Sequence, residues 1–175
     1  MYNNRNKRNQ DIFIDNIFIN KYASGDLVMV RSLELIKDIL IREKCKDRKI
    51  LFKDELAINL DKVETEYKKG TSCNDNTIDF VVGLKNNKLL LVEAKFSANN
   101  MENVAKTLSK KTKHSKELLT SNQYFIGFYG KVLILLSNNE KFHQNKRKLM
   151  SLLLNDTLNY YPLTIDEFYS VFFKP

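Results

Sequence analysis

The chain has 175 residues, of which 43% are hydrophobic, so one ordinary domain with its own core is expected and a disordered chain is not. Its 29 Lys and Arg outnumber 21 Asp and Glu, leaving a net charge of +8; this favours a polyanionic partner through counterion release, although a merely solvated basic surface has the same composition. Cys45 and Cys73 form no CxxC pair and apolar runs such as Val132–Leu136 are short, which argues against a zinc site, a disulfide framework and a membrane span.

Residues 1–10 read as a polar arm. Asp15, Asn16 and Asn20 break the apolar stretch behind it, so no signal peptide is expected and the protein is placed in the cytoplasm. Residues 11–22 suit a short helix or a strand. Asp26 is an N-cap candidate for a helix over 27–44, where Met29, Leu33, Ile36 and Leu40 recur at helical spacing. Residues 45–56 look irregular. Alternation of Val63, Thr65 and Tyr67 with Glu64 and Glu66 predicts a strand ending at Gly70, before a polar loop over 71–76. Two stronger strands, 77–84 and 88–96, flank a turn near Asn86-Asn87. A helix follows over 101–119, then a strand pair over 124–128 and 131–136 turning near Gly130. A basic, leucine-rich helix over 140–155 and a short helix over 165–173 complete the chain. This order implies one α/β or α+β layer domain.

Several chemistries are absent from the sequence. There is no GxGxxG, no Walker-type phosphate loop and no GxSxG, and His114 and His143 form no metal-binding pair. Both histidines are expected at the surface. Carboxylates and lysines remain, and metal-dependent phosphodiester hydrolysis uses those groups. Carboxylates hold Mg²⁺ (or Mn²⁺), which polarises a phosphate and acidifies an attacking water, while a lysine positions that water or offsets developing charge. An acidic residue, one position and a lysine recur at Asp47–Lys49, Glu66–Lys68 and Glu93–Lys95. Only the third ends a buried-type strand, Leu89-Leu90-Leu91-Val92, beside another strand that carries an acid, Asp79. Glu93 and Lys95 project from one face of their strand, and the Ala94 carbonyl is available as a further oxygen ligand. Charges among such apolar residues need one another or a metal, so a purely structural buried salt bridge is the competing reading. The parity of the hairpin separates the cases. A two-residue turn at Asn86-Asn87 would set Asp79 opposite Ala94, on the wrong face. A shared site requires a three-residue loop over Lys85–Asn87, or a bulge near Gly83.

These residues, Ile78-Asp79-Phe80 and Val92-Glu93-Ala94-Lys95, together with the element order, resemble the PD-(D/E)XK, or restriction-endonuclease-like, nuclease superfamily. Ile78 stands where the motif's name has Pro. The resemblance implies an α/β fold, a mixed sheet flanked by helices, with a core over about 26–137, a helical C-terminal extension over 138–175, helix 27–44 as the first core helix and 131–136 as a later core strand. It also implies metal binding by Asp79 and Glu93 and a catalytic role for Lys95. A third carboxylate would come from the first core helix, where Glu34 is the first choice and Asp38 the second, with Glu64 and Glu66 as competitors. The expected activity is a Mg²⁺-dependent endonuclease or exonuclease acting on DNA ahead of RNA. The alternative is a catalytically silent domain that binds nucleic acid or a protein. Lys106, Lys110 and Lys113 share one side of the helix after the motif and are the nucleic-acid-binding candidates. A homodimer would supply one site for each strand of a duplex.

Overall fold

Two stretches of alternating parity, Val81-Val82 and Leu89 to Val92, lie at the centre of a six-stranded mixed sheet whose faces each bury an apolar cluster. The computed structural model describes residues 11–46, 51–68 and 77–173. The expected polar arm at 1–10, the loop over 71–76 and the Asp47–Lys49 pair lie outside these. In chain order the elements are α1 (Asn16–Ala23), α2 (Leu27–Arg31), β1 (Leu33–Leu35), α3 (Ile36–Arg42), β2 (Leu56–Asn59) and α4 (Leu60–Tyr67). Then follow β3 (Phe80–Gly83), β4 (Leu89–Lys95), α5 (Met101–Thr120), β5 (Val132–Leu136), α6 (Phe142–Leu152), β6 (Tyr160–Leu163) and α7 (Ile165–Phe172).

The strands lie side by side in chain order. β1 to β4 form an antiparallel meander, and β5 and β6 continue it in parallel. Parallel neighbours need crossover connections, which α5 and α6 provide. One face packs α1, α4, α5 and α6 over Ile58, Val81, Leu91 and Ile134. The other packs α3 and α7 over Ala57, Phe80, Val82, Val92 and Leu133. The alternation of these names along each strand is the period of two that assigns every side chain to a face. No helix among the described residues is long and apolar enough to cross a membrane.

Several expected elements are altered. Asp26 does cap a helix, its carboxylate accepting from the Val28 amide at 2.8 Å. That helix stops at Arg31, because Leu33, Glu34 and Leu35 pair with β2, and it resumes as α3. The expected strand at 63–67 is helix α4: the Asn59 side chain accepts from the Lys62 amide, and Leu60, Val63 and Glu64 are buried at helical spacing. β2 takes the place of that strand; it shares only Leu56 with the irregular-looking 45–56 stretch and otherwise falls where no element is expected. Residues 124–128 form no strand pair with β5; Phe128 makes a single bridge to Leu89. The C-terminal stretch is not wholly helical, since β6 adds an edge strand that carries Pro162 where an edge tolerates it.

Candidate active site

Strands β3 and β4 pair Phe80 with Val92 and Gly83 with Leu89. The same register continued by one residue sets Asp79 opposite Glu93. The loop therefore spans Lys85, Asn86 and Asn87, the three-residue solution, with Asn87 in the left-handed region at φ 59°. Asn87 donates its amide to the Leu84 carbonyl, and Leu84 donates to the Lys88 carbonyl, both at 2.9 Å. Asparagine is among the few residues that take this conformation readily. Odd parity then carries Asp79, Glu93 and Lys95 to the face covered by α4 and α5.

Three anchors fix the start of β3. The Ile78 amide donates to the buried Ser115 hydroxyl of α5 at 2.8 Å, the Leu60 amide of α4 donates to the Asp79 carbonyl at 3.1 Å, and the Thr77 hydroxyl donates to Asp61 at 2.8 Å. Asp79 and Glu93 are 5% and 0% exposed, so their carboxylates need partners. The Asp79 amide donates to Glu93 Oε2 at 3.2 Å, and the Ala94 amide donates to Asp79 Oδ2 at 2.6 Å. Lys95 Nζ lies 2.7 Å from Glu93 Oε1 and 3.8 Å from Asp79 Oδ2, and it donates to the Ala94 carbonyl at 3.1 Å. The ligand oxygen expected from Ala94 is thus already bonded to the neighbouring ammonium.

The structure brings three further groups to this point. Glu43, at the C-cap of α3, and Asp61, in the first turn of α4, lie with Asp79 so that one carboxylate oxygen from each falls within 4.8 Å of the others. Lys111 of α5 reaches Glu93 Oε1 at 3.2 Å. Burial raises the Asp79 carboxyl well above its ordinary range, and repulsion from Glu93 and Glu43 adds to this against the pull of Lys95. Burial also raises Glu43, with Asp61 and Glu93 adding repulsion and Lys95 and Lys111 opposing it. Desolvation pulls the Lys95 ammonium down, but Glu93 and Asp79 outweigh it and the net shift is upward.

Glu34 is not part of this cluster. It pairs with Ala57 in the β1–β2 register, and its carboxylate is taken up by Arg42 of α3, Lys62 of α4 and Asn59. It is committed to these partners and is not one of the grouped carboxylates. Asp38 is exposed, and Glu64 is buried on α4 against Lys68 and His114. His114 is therefore half-buried and partnered, where an exposed surface histidine was expected. Lys106, Lys110 and Lys113 are exposed and border a shallow depression with Ser109, His114 and Glu117. At about 100° per residue they stand on the outer side of α5, well away from the flank that carries Lys111.

Glu43 falls at the end of the expected 27–44 helix and Asp61 just before the expected strand at 63–67, so no local pattern sets either apart as a ligand. Lys111 had a signal: it follows Met101, Val104 and Leu108 on the edge of their apolar stripe, where a charge calls for a partner.

No family model, no curated protein and no solved structure matches the chain. Its fold and cluster define an α/β protein in which four carboxylates and two lysines converge at the carboxyl end of β4.

Proposed function

We propose that this chain is a metal-dependent nuclease of the PD-(D/E)XK kind, hydrolysing phosphodiester bonds in DNA ahead of RNA. The observation that carries the reading is the convergence of Asp79, Glu93 and Lys95 on one face, directly opposed across β3 and β4. Support also comes from the mixed sheet flanked by helices, with the 131–136 stretch as a parallel core strand, and from the net charge of +8.

The residues fit a hard divalent cation. Glu43, Asp61 and Asp79 offer only carboxylate oxygens, the donor set of Mg²⁺ or Mn²⁺, and a cation would relieve the desolvation and repulsion that Asp79 and Glu43 carry. When bound, such an ion offsets phosphate charge and makes a water more acidic. Glu93 orients Lys95, whose ammonium is held at the mouth of the cluster by three oxygen atoms. From there Lys95 can hold an attacking water or meet the charge that develops on the phosphate. Ser115, through Ile78, and Leu60, through the Asp79 carbonyl, keep Asp79 from moving as this happens.

The test is direct. Purified protein is incubated with plasmid and single-stranded DNA and with a matched RNA, in Mg²⁺ or Mn²⁺ beside an EDTA control. Cleavage that needs the metal and disappears in Asp79→Asn and Glu93→Gln supports the reading. Undiminished cleavage in both variants removes it, as does intact substrate under every condition.

A further inference from the structure

Asp61 and Asp79 belong to one group of carboxylates but come from different elements, the first turn of α4 and the residue before β3. Two bonds tie these stretches together, and they run in opposite directions. The Leu60 amide donates to the Asp79 carbonyl at 3.1 Å, and the Thr77 hydroxyl donates to Asp61 Oδ1 at 2.8 Å. The first bond joins backbone to backbone. The second acts on one of the grouped carboxylates directly.

Thr77 is 0% exposed, and a hydroxyl taken out of water needs an acceptor. The usual solution is a backbone carbonyl. The hydroxyls of Thr65, Thr107 and Thr120 follow it, each donating to a carbonyl about one turn back in its own helix. Thr77 instead spends its one proton on a carboxylate 16 residues earlier in the chain. With Oδ1 held, the Asp61 carboxylate is ordered before any cation arrives, and a cation is spared that ordering cost. Asp61 has a further interaction as well, so losing the hydroxyl would loosen the carboxylate rather than free it.

We infer that Thr77 is a positioning residue of this site, whose hydroxyl orients the Asp61 carboxylate for a divalent cation shared with Glu43 and Asp79. This deepens the nuclease reading and rests on its metal site. Thr77 touches neither the substrate nor the reacting atoms; it acts through Asp61.

The experiment compares the full chain with Thr77→Val, Thr77→Ser and Asp61→Asn. Mn²⁺ binding is titrated by electron paramagnetic resonance, cleavage of a labelled duplex is followed over a Mn²⁺ series, and circular dichroism monitors the fold. Thr77→Val keeps the shape and removes the hydroxyl. It should raise the Mn²⁺ concentration for half-saturation about tenfold, the low end of what losing an outer hydrogen bond to a metal ligand costs. At saturating Mn²⁺ its cleavage rate should return to within about threefold of wild type, because only the hold on the metal has changed. Thr77→Ser keeps the hydroxyl and should match wild type in both measurements. Asp61→Asn should weaken Mn²⁺ binding at least as much as Thr77→Val.

A threonine that only seats the start of β3 would lose thermal stability in Thr77→Val with Mn²⁺ affinity unchanged, and that result overturns the inference. A Thr77→Ser protein as weak for Mn²⁺ as Thr77→Val overturns it too, as does an Asp61→Asn protein that binds like wild type. Should Thr77→Val not fold, Thr77→Ala takes its place, and failure of both to fold assigns the residue to the scaffold and overturns the inference. None of these results touches the nuclease reading where wild type cleaves. A wild-type protein that binds Mn²⁺ with the expected pattern among the variants but cuts nothing overturns the nuclease reading and supports the role of Thr77. One that binds no Mn²⁺ overturns both.

Discussion

Asp79 and Glu93 hold each other's strands: the Asp79 amide donates to the Glu93 carboxylate, and the Asp79 carboxylate accepts from Ala94, the residue after Glu93. Each acid thus has a structural bond as well as the chemical task proposed for it, and the substitution chosen decides which is lost. Asp79→Asn and Glu93→Gln keep an oxygen acceptor and remove the charge. Both should lower metal-dependent cleavage by at least about 100-fold with little loss of stability. Asp79→Ala strands the buried Ala94 amide and should cost about 1–3 kcal/mol of folding free energy, offset in part by relief of repulsion. Chemical denaturation of the three variants separates these effects. Equal stability of the Ala and Asn variants would show that the amide finds another acceptor.

The metal-free protein should lose stability as pH rises above the ordinary carboxylate range. Asp79 is raised above its ordinary 3.8 by burial, and Glu43 above 4.5 for the same first cause. Between those ordinary values and the raised ones, the folded state binds more protons than the unfolded state. Their contribution is therefore complete at low pH and is lost as pH climbs through the folded-state values. Mg²⁺ or Mn²⁺ should restore stability at the upper end, where the carboxylates are charged. Melting temperatures across this range, with and without metal, should show a slope that flattens in Asp79→Asn. Parallel profiles for wild type and variant would mean that this carboxyl is not held neutral.

Glu43 and Glu34 make opposite predictions. Glu43→Gln removes a carboxylate from the cluster and should raise the metal concentration needed for half-maximal cleavage about tenfold, with the fold intact. Glu34→Gln breaks ion pairs to Arg42 and Lys62 without removing any of the grouped carboxylates. It should leave the metal requirement alone and cost about 1 kcal/mol or less, as partly exposed pairs do. A metal titration of both variants decides it, and a Glu34→Gln protein starved for metal would contradict the placement of Glu34.

The contrast between these two acids marks how much of the site was legible. Asp79, Glu93 and Lys95 could be read because alternation within one apolar strand, and the parity of one loop, assign side chains to faces from neighbours alone. Glu34 could not. Met29, Leu33, Ile36 and Leu40 do keep helical spacing, but the pairing of Leu33 and Leu35 with Leu56 and Ile58 turns the middle of that pattern into a strand, and no local feature announces it. Glu64 and Glu66 failed for a related reason. Over the five residues from Val63 to Tyr67 a period of two and a helical period look alike, and Leu60, the residue that breaks the tie, lay beyond the window. Parallel β4–β5 pairing across α5 is a non-local contact of the same kind.

Gly83 should not tolerate a side chain. A Cβ built there would come within 2.8 Å of the Phe18 ring and 2.9 Å of the Ile19 amide nitrogen. The Asp15 amide donates to the Gly83 carbonyl at 2.8 Å, so α1 is tied to the strand at the point of contact. The ring can swing aside but the backbone of α1 cannot without breaking that bond. Gly83→Ala should destabilise the protein by about 1–3 kcal/mol, the usual cost of overpacking a fitted interior. Urea denaturation measures it, and a neutral result would show that α1 lifts freely.

Lys44 should be improved by losing its side chain. Glu43 is held at the end of α3 by a Schellman motif, in which the Cys45 amide donates to the Leu40 carbonyl and the Lys44 amide to the Ile41 carbonyl, both at 3.0 Å. The motif needs a left-handed residue, and Lys44 supplies it at φ 62°. Glycine is the ordinary occupant because a Cβ in this conformation costs about 1–2 kcal/mol. Lys44→Gly removes that cost but adds conformational freedom to the unfolded chain, which returns roughly 0.4–1 kcal/mol. A net gain of about 0.5–1 kcal/mol follows. Lys44→Ala keeps the Cβ and gains nothing from the backbone, so it isolates strain from the loss of the cation. Thermal melts of both variants without metal test the argument. A Gly variant that melts below the Ala variant would mean that this turn stores no strain, and a gain seen only in Gly would mean that Glu43 is held at the end of α3 by a backbone kept against its own preference.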